Sequence, residues 1–165
     1  MKIETLDNYL RVARDMIYDG EVDEALKLMR ELLYEEPGYY GLHNHLGWAL
    51  MYYGDDVQNA ERHLLMAVKF NANYGPAYLH LGNLYIRMRR YSDAVNMLHQ
   101  GLTKPDIYAA AYYEALAEAF ELLRKYGKAV ENYKLAMVNT VGEDAERFIR
   151  RIKACRKKRL VMMML

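Results

Sequence analysis

The chain has 165 residues, a formal net charge of +1 and 53% hydrophobic residues, an ordinary balance for a soluble globular chain long enough for one well-buried domain. A single Cys and only three Pro exclude a disulfide framework and long Pro-rich linkers, and the apolar run "LVMMML" at 160–165 is far too short to span a bilayer. The start, "MKIETLDNYLR", places acids where a signal peptide needs an apolar core, so the expected setting is a reducing cytoplasm, that of a bacterial cell among them.

In chain order the sequence repeats itself. The phrase "YLRVARDM" (9–16) is followed by "GEVDEALKLM" (20–29), "HNHLGWAL" (43–50) by "DDVQNAERHLL" (55–65), "YLHLGNLY" (78–85) by "RYSDAVNML" (90–98), and "YEALAEAF" (113–120) by "KYGKAVENY" (125–133). Aligned on Ala25, Ala60, Ala94 and Ala129, the spacings are 35, 34 and 35 residues. Within each phrase apolar residues recur at i, i+3, i+4 and i+7, the helical period. Each unit therefore reads as two antiparallel helices joined by a turn at Gly20, Gly54, Arg89–Arg90 or Arg124–Lys125. Ala13, Gly47, Gly82 and Ala117 keep the first helix small where it crosses the second, opposite the four alanines. The second unit has one residue more, expected between Gly54 and Ala60, where Asp55 or Asp56 can cap the second helix.

After "NTVGED" a ninth helix is expected over about 143–160. Ala145, Phe148, Ile149, Ile152 and Cys155 form its apolar stripe, and Arg147, Arg150, Arg151, Lys153, Lys157 and Lys158 its basic face. From residue 143 onward eight basic residues meet three acidic ones, giving +5 there and −4 over the rest. Such a polar-backed helix suits the end of a stack.

These phrases resemble the tetratricopeptide repeat, a helix–turn–helix unit of about 34 residues. The resemblance covers four units, about 6–39, 40–74, 75–109 and 110–141, within a single domain of 1–165. It rests on the large first residue at Tyr9, His43, Tyr78 and Tyr113. It rests too on the pairs Val12-Ala13, Leu46-Gly47, Leu81-Gly82 and Leu116-Ala117. The family's closing Pro stands at Pro37, falls one residue early at Pro105, and is replaced by Ala72 and Val141. The resemblance implies an all-α, right-handed superhelical solenoid whose concave groove, lined by the first helix of each pair, binds a peptide or helical segment of a partner.

Carried over by register, the groove residues are Leu10, Arg14 and Ile17, then Asn44, Trp48 and Met51, then Leu79, Asn83 and Ile86, and finally Glu114, Glu118 and Glu121. The stripe runs from Arg through an apolar middle to carboxylates, which suits a partner with apolar anchors and a basic end. The family's carboxylate clamp needs paired Lys and Asn, and Leu10/Arg14, Asn44/Trp48 and Leu79/Asn83 stand in its place.

Chemistry is not expected. Ser92 reads as a helix N-cap, Cys155 as a core thiol, and the glycines sit at packing and turn positions rather than in a phosphate loop. His43 and His45, two apart, fall on different helix faces, while His45 and His80 occupy equivalent places without an evident third ligand. No metal, cofactor or enzymatic activity is therefore expected. Alternatives to the scaffold reading are a self-assembling adaptor working through the tail, a secretion-chaperone-like protein, suggested by the size and repeat number alone, and nucleic-acid binding through "RRIKACRKKR", which lacks interleaved aromatics. The tail 160–165 itself reads as a last turn of the cap, a contact with another copy or a basic-apolar membrane contact.

Overall fold

A computed structural model describes residues 3–140 and 145–164. Val141, the expected cap start at 143, and Leu165 lie outside the described residues. Among the described residues there are nine helices and no strand: α1 (Ile3–Tyr18), α2 (Val22–Glu35), α3 (Tyr40–Tyr52), α4 (Val57–Phe70), α5 (Gly75–Arg87), α6 (Tyr91–Gly101), α7 (Ala109–Leu122), α8 (Tyr126–Asn139) and α9 (Ala145–Met164). The chain divides into two compact units, Met1–His80 and Leu81–Leu165.

Small residues set the helix pairing in both units. Ala13, Ala25, Ala60, Ala94, Ala117 and Ala129 are fully buried. A Cβ on Gly47 would lie 2.7 Å from Leu64 Cγ, and one on Gly82 only 2.5 Å from Leu98 Cγ. The two helices of a pair thus touch where the sequence has nothing to keep them apart. In the first unit α1, α2 and α3 close over a cluster of Leu6, Leu10, Leu32 and Leu42. In the second, α7 packs on α6 and α8, and α8 on α9.

The turns carry the same period as the alanines. Gly20, Asp55, Arg89 and Arg124 all have positive φ, at 91°, 46°, 59° and 58°. Each lies five residues before its alanine. In three turns the next amide closes back to a carbonyl five residues earlier: Glu21 to Met16, Arg90 to Tyr85 and Lys125 to Phe120, the bond that ends a helix in a left-handed cap. In the second pair Asp56 N–H reaches instead to Leu50, six residues back. The extra residue is therefore Gly54, before the left-handed position, and not between Gly54 and Ala60 as expected. A Cβ there would sit 3.2 Å from the Leu50 backbone, which glycine avoids.

Asp56, of the two candidates, caps α4, its carboxylate accepting from Asn59 N–H at 3.1 Å. Ser92 does not cap α6. The cap residue is Arg90, and Ser92 is exposed inside the first turn. Arg90 Nε binds Asp93 Oδ2 at 2.8 Å across that turn, bracing it by an ion pair where the sequence suggested a hydroxyl. Helix α9 continues to Met164, past the expected end near 160, because Leu, Val and Met continue a helix without a breaker. No helix among the described residues is long and apolar enough to cross a membrane.

Candidate binding site

In the first unit the first helices of successive pairs meet around a cavity of about 210 Å³. Arg14 and Tyr18 come from α1, His45 and Trp48 from α3, and His80 from α5. Trp48 is half-buried and stands in an aromatic cluster. Its ring lies 6.2 Å from Tyr18 edge-on, 5.4 Å from Tyr53 edge-on and 6.4 Å from Tyr52. Tyr18, Tyr52 and Tyr53 are themselves exposed. A large apolar surface is thus held open to solvent beside polar groups, the composition of a binding pocket.

The polar groups are fixed from behind. His45 Nδ1 lies 2.9 Å from the Gly41 carbonyl oxygen, one turn back on α3. His80 Nδ1 lies 2.9 Å from Asn44 Oδ1. Asn44 is only 2% exposed, so it orients His80 instead of meeting a partner itself. Burial lowers the pKa of both imidazoles, that of His80 to about 4 with His45 adding to the effect. For His45 the Gly41 bond and the Asp7 carboxylate oppose the drop and Arg14 assists it. Both rings are neutral near pH 7.

Of the groove residues expected by register, Arg14 and Trp48 line this cavity. Leu10, Ile17 and Met51 do not offer a surface: they are at most 3% exposed, and Leu10 belongs to the Leu6–Leu32–Leu42 core. Leu79, Asn83 and Ile86 are half-buried. Tyr18, His45 and His80 are the members that the register missed. Their signal was the matching place of His45 and His80 in adjacent repeats.

The three glutamates of α7 have a different occupant. Arg147 of α9 grips Glu114 with two bonds of 2.6 and 2.8 Å. Glu121 receives Lys158 at 2.7 Å, Arg151 at 3.1 Å and the Tyr133 hydroxyl at 3.2 Å. Burial pushes the Glu121 carboxyl upward, but the Lys158 bond and the Arg151 and Lys158 charges outweigh it and hold the pKa below the ordinary range. The basic end foreseen for a partner is thus supplied, at Glu114 and Glu121, by the chain's own α9. Glu118 stays exposed. Arg147, Arg151 and Lys158 are thus paired within the chain, the last two from the basic run 150–159.

A second cavity in the first unit, about 660 Å³, includes Arg30, Tyr34, His43, Asp56, His63 and Met66 in its lining. His43 Nε2 donates to the Pro37 carbonyl at 3.0 Å, so its Nδ1 accepts from His63 Nδ1–H, also at 3.0 Å. One hydrogen bond thus joins the two rings. Among the described residues no group of three or more His, Cys, Asp or Glu converges for a metal. Cys155 is buried, and burial together with Glu121 raises its pKa to about 11, which keeps it a protonated, unreactive thiol.

Residues 77–106 match the family model of the tetratricopeptide repeat. Solved structures share the fold. MamA protein is 19% identical, with 94% of this chain and 83% of that one covered at a TM-score of 0.75. For Pseudomonas aeruginosa pilF the figures are 14%, 94%, 73% and 0.80. For a thermophilic tetratricopeptide protein of Thermus thermophilus they are 22%, 89%, 79% and 0.73. At these identities the likeness is one of fold. No curated protein matches the sequence.

Proposed function

We propose that this chain, a tetratricopeptide-repeat protein by its fold and its matching third repeat, is a cytoplasmic scaffold that holds a partner's peptide or helical segment against the first helices of its pairs, without catalysing a reaction. The observation that carries this is the Trp48 cavity. An aromatic cluster, a guanidinium and two oriented imidazoles open together between the first helices of successive pairs. Large aromatics in such settings dominate binding energies.

A peptide library selected against the intact chain, with the Trp48→Ala chain as competitor, tests the reading. Peptides retained by the parent and not by the variant, and shifting Trp48 emission, support it. Peptides that bind both chains equally well contradict it.

A second reading, self-assembly through α9, is favoured by one observation. Leu160, Val161, Met162, Met163 and Met164 are 48–76% exposed. Of these, Met162 and Met163 flank a cavity of about 490 Å³ shared with Arg124, Lys125, Lys128 and Arg159.

A further inference from the structure

We infer that the Trp48 cavity is a receptor for a primary carboxamide, the side chain of an Asn or Gln in the partner segment, whose two N–H groups are received by His45 Nε2 and His80 Nε2 and whose oxygen accepts from Arg14. This deepens the scaffold reading and rests on it.

The tautomers carry the argument. A carbonyl oxygen only accepts, so the 2.9 Å approach of His45 Nδ1 to Gly41 O places the ring hydrogen on Nδ1. The amide oxygen of Asn44 does the same for His80 at 2.9 Å. A neutral imidazole has one N–H, which leaves both Nε2 atoms as bare lone pairs in rings that line the same small cavity. Both rings are held from behind, one by the α3 backbone and the other by a buried α3 side chain. Arg14, at the third side, has donors and no acceptor.

A ligand that satisfies all three and also covers Trp48 and Tyr18, which a single water cannot do, carries two hydrogens on one atom and an acceptor beside it. An ammonium or guanidinium supplies hydrogens but brings a second positive charge against Arg14. A carboxylate pairs with Arg14 but turns lone pairs toward two lone pairs. A hydroxyl has one hydrogen for two acceptors. A primary carboxamide is neutral and flat, with two N–H groups and an oxygen, and Trp48 and Tyr18 offer it apolar walls. The volume of about 210 Å³ suits one short side chain.

Three probes of nearly one size separate the alternatives. Propionamide has both features, propionate lacks the hydrogens and is charged, and butan-2-one keeps the oxygen without the hydrogens. Each is titrated into the intact chain near pH 7, up to roughly 0.1 M as fragments of this size require. The His45 and His80 ring-nitrogen resonances and Trp48 emission are followed.

The expected result is hydrogen on Nδ1 in both rings, movement of both Nε2 signals with propionamide, and a response about tenfold or more weaker with the other two. Acidification until the two imidazoles are protonated, with Asp7 and Arg14 the other charges facing His45, abolishes the propionamide response. Hydrogen on Nε2 in either ring, equal responses to the three probes, or unmoved Nε2 signals would overturn the inference. Peptides that need Trp48 yet show no Asn or Gln at the anchor would sink it while leaving the scaffold standing. Peptides indifferent to Trp48→Ala would sink the scaffold reading itself.

Discussion

Replacing Glu121 by Gln keeps the shape of the side chain and removes its charge, which isolates what the carboxylate does for α9. The Glu121 side chain is 11% exposed, while Arg151 and Lys158, its partners, are 51% and 53% exposed. Charge-assisted bonds to a desolvated acceptor contribute about 1.5–3 kcal/mol, whereas fully exposed pairs contribute about 0–1. The two cations can return to water, so the loss falls between these limits, at about 1–2 kcal/mol. For a chain of this length that is a drop of roughly 3–6 °C in Tm. The pH dependence has a definite sign. The folded carboxyl is held below its unfolded pKa, so its contribution is present above the ordinary carboxyl range and is lost as pH falls through the folded value. Thermal melts of parent and Glu121→Gln, at neutral pH and in acid, should therefore diverge at neutral pH and converge in acid. Superimposable melts at neutral pH would refute the idea that the α7 glutamates clasp α9.

Two further changes probe other parts of the account. Gly82→Ala places a methyl 2.5 Å from Leu98 Cγ and should cost about 1–3 kcal/mol by overpacking. In urea melts the double variant Gly82→Ala/Leu98→Ala should lose less than the sum of the two single changes, since removing Leu98 relieves the clash. Deleting 160–165, which removes the exposed apolar residues Leu160 to Met164 of α9, should reduce the mass seen by light scattering; an unchanged mass removes the self-assembly reading.

The repeat was legible because close packing leaves a periodic trace. Ala or Gly must recur wherever two helices touch, and a left-handed residue wherever the chain reverses. The groove was half legible, and the reason is angular. A helix advances about 100° per residue, so Leu10 and Ile17 lie close together in projection, with Arg14 turned some 40–60° away. The same holds for Asn44 and Met51 relative to Trp48. In both triples the middle residue reaches the surface and the outer two turn into the core. Tyr18, His45 and His80 lie further round in the direction of Arg14 and Trp48, so the open face is rotated by about 60–70° from the expected stripe. In α3, "YGLHNHLGWALMY", apolar residues surround the helix, and periodicity could not separate core from face. The glutamates of α7 and the cations of α9 were each visible in the sequence. Their pairing was not, because it joins residues 33–37 positions apart in the chain.

The central claim, that a partner docks on the Trp48 cavity, is tested most directly by one comparison. Binding of a selected peptide and the thermal melt are measured together for the parent and for Trp48→Ala. The account predicts binding weakened by about 2 kcal/mol, roughly thirtyfold in Kd, with the melt nearly unchanged. Unaltered affinity together with a stability loss of about 3–5 kcal/mol, the cost of emptying a core aromatic site, would contradict it.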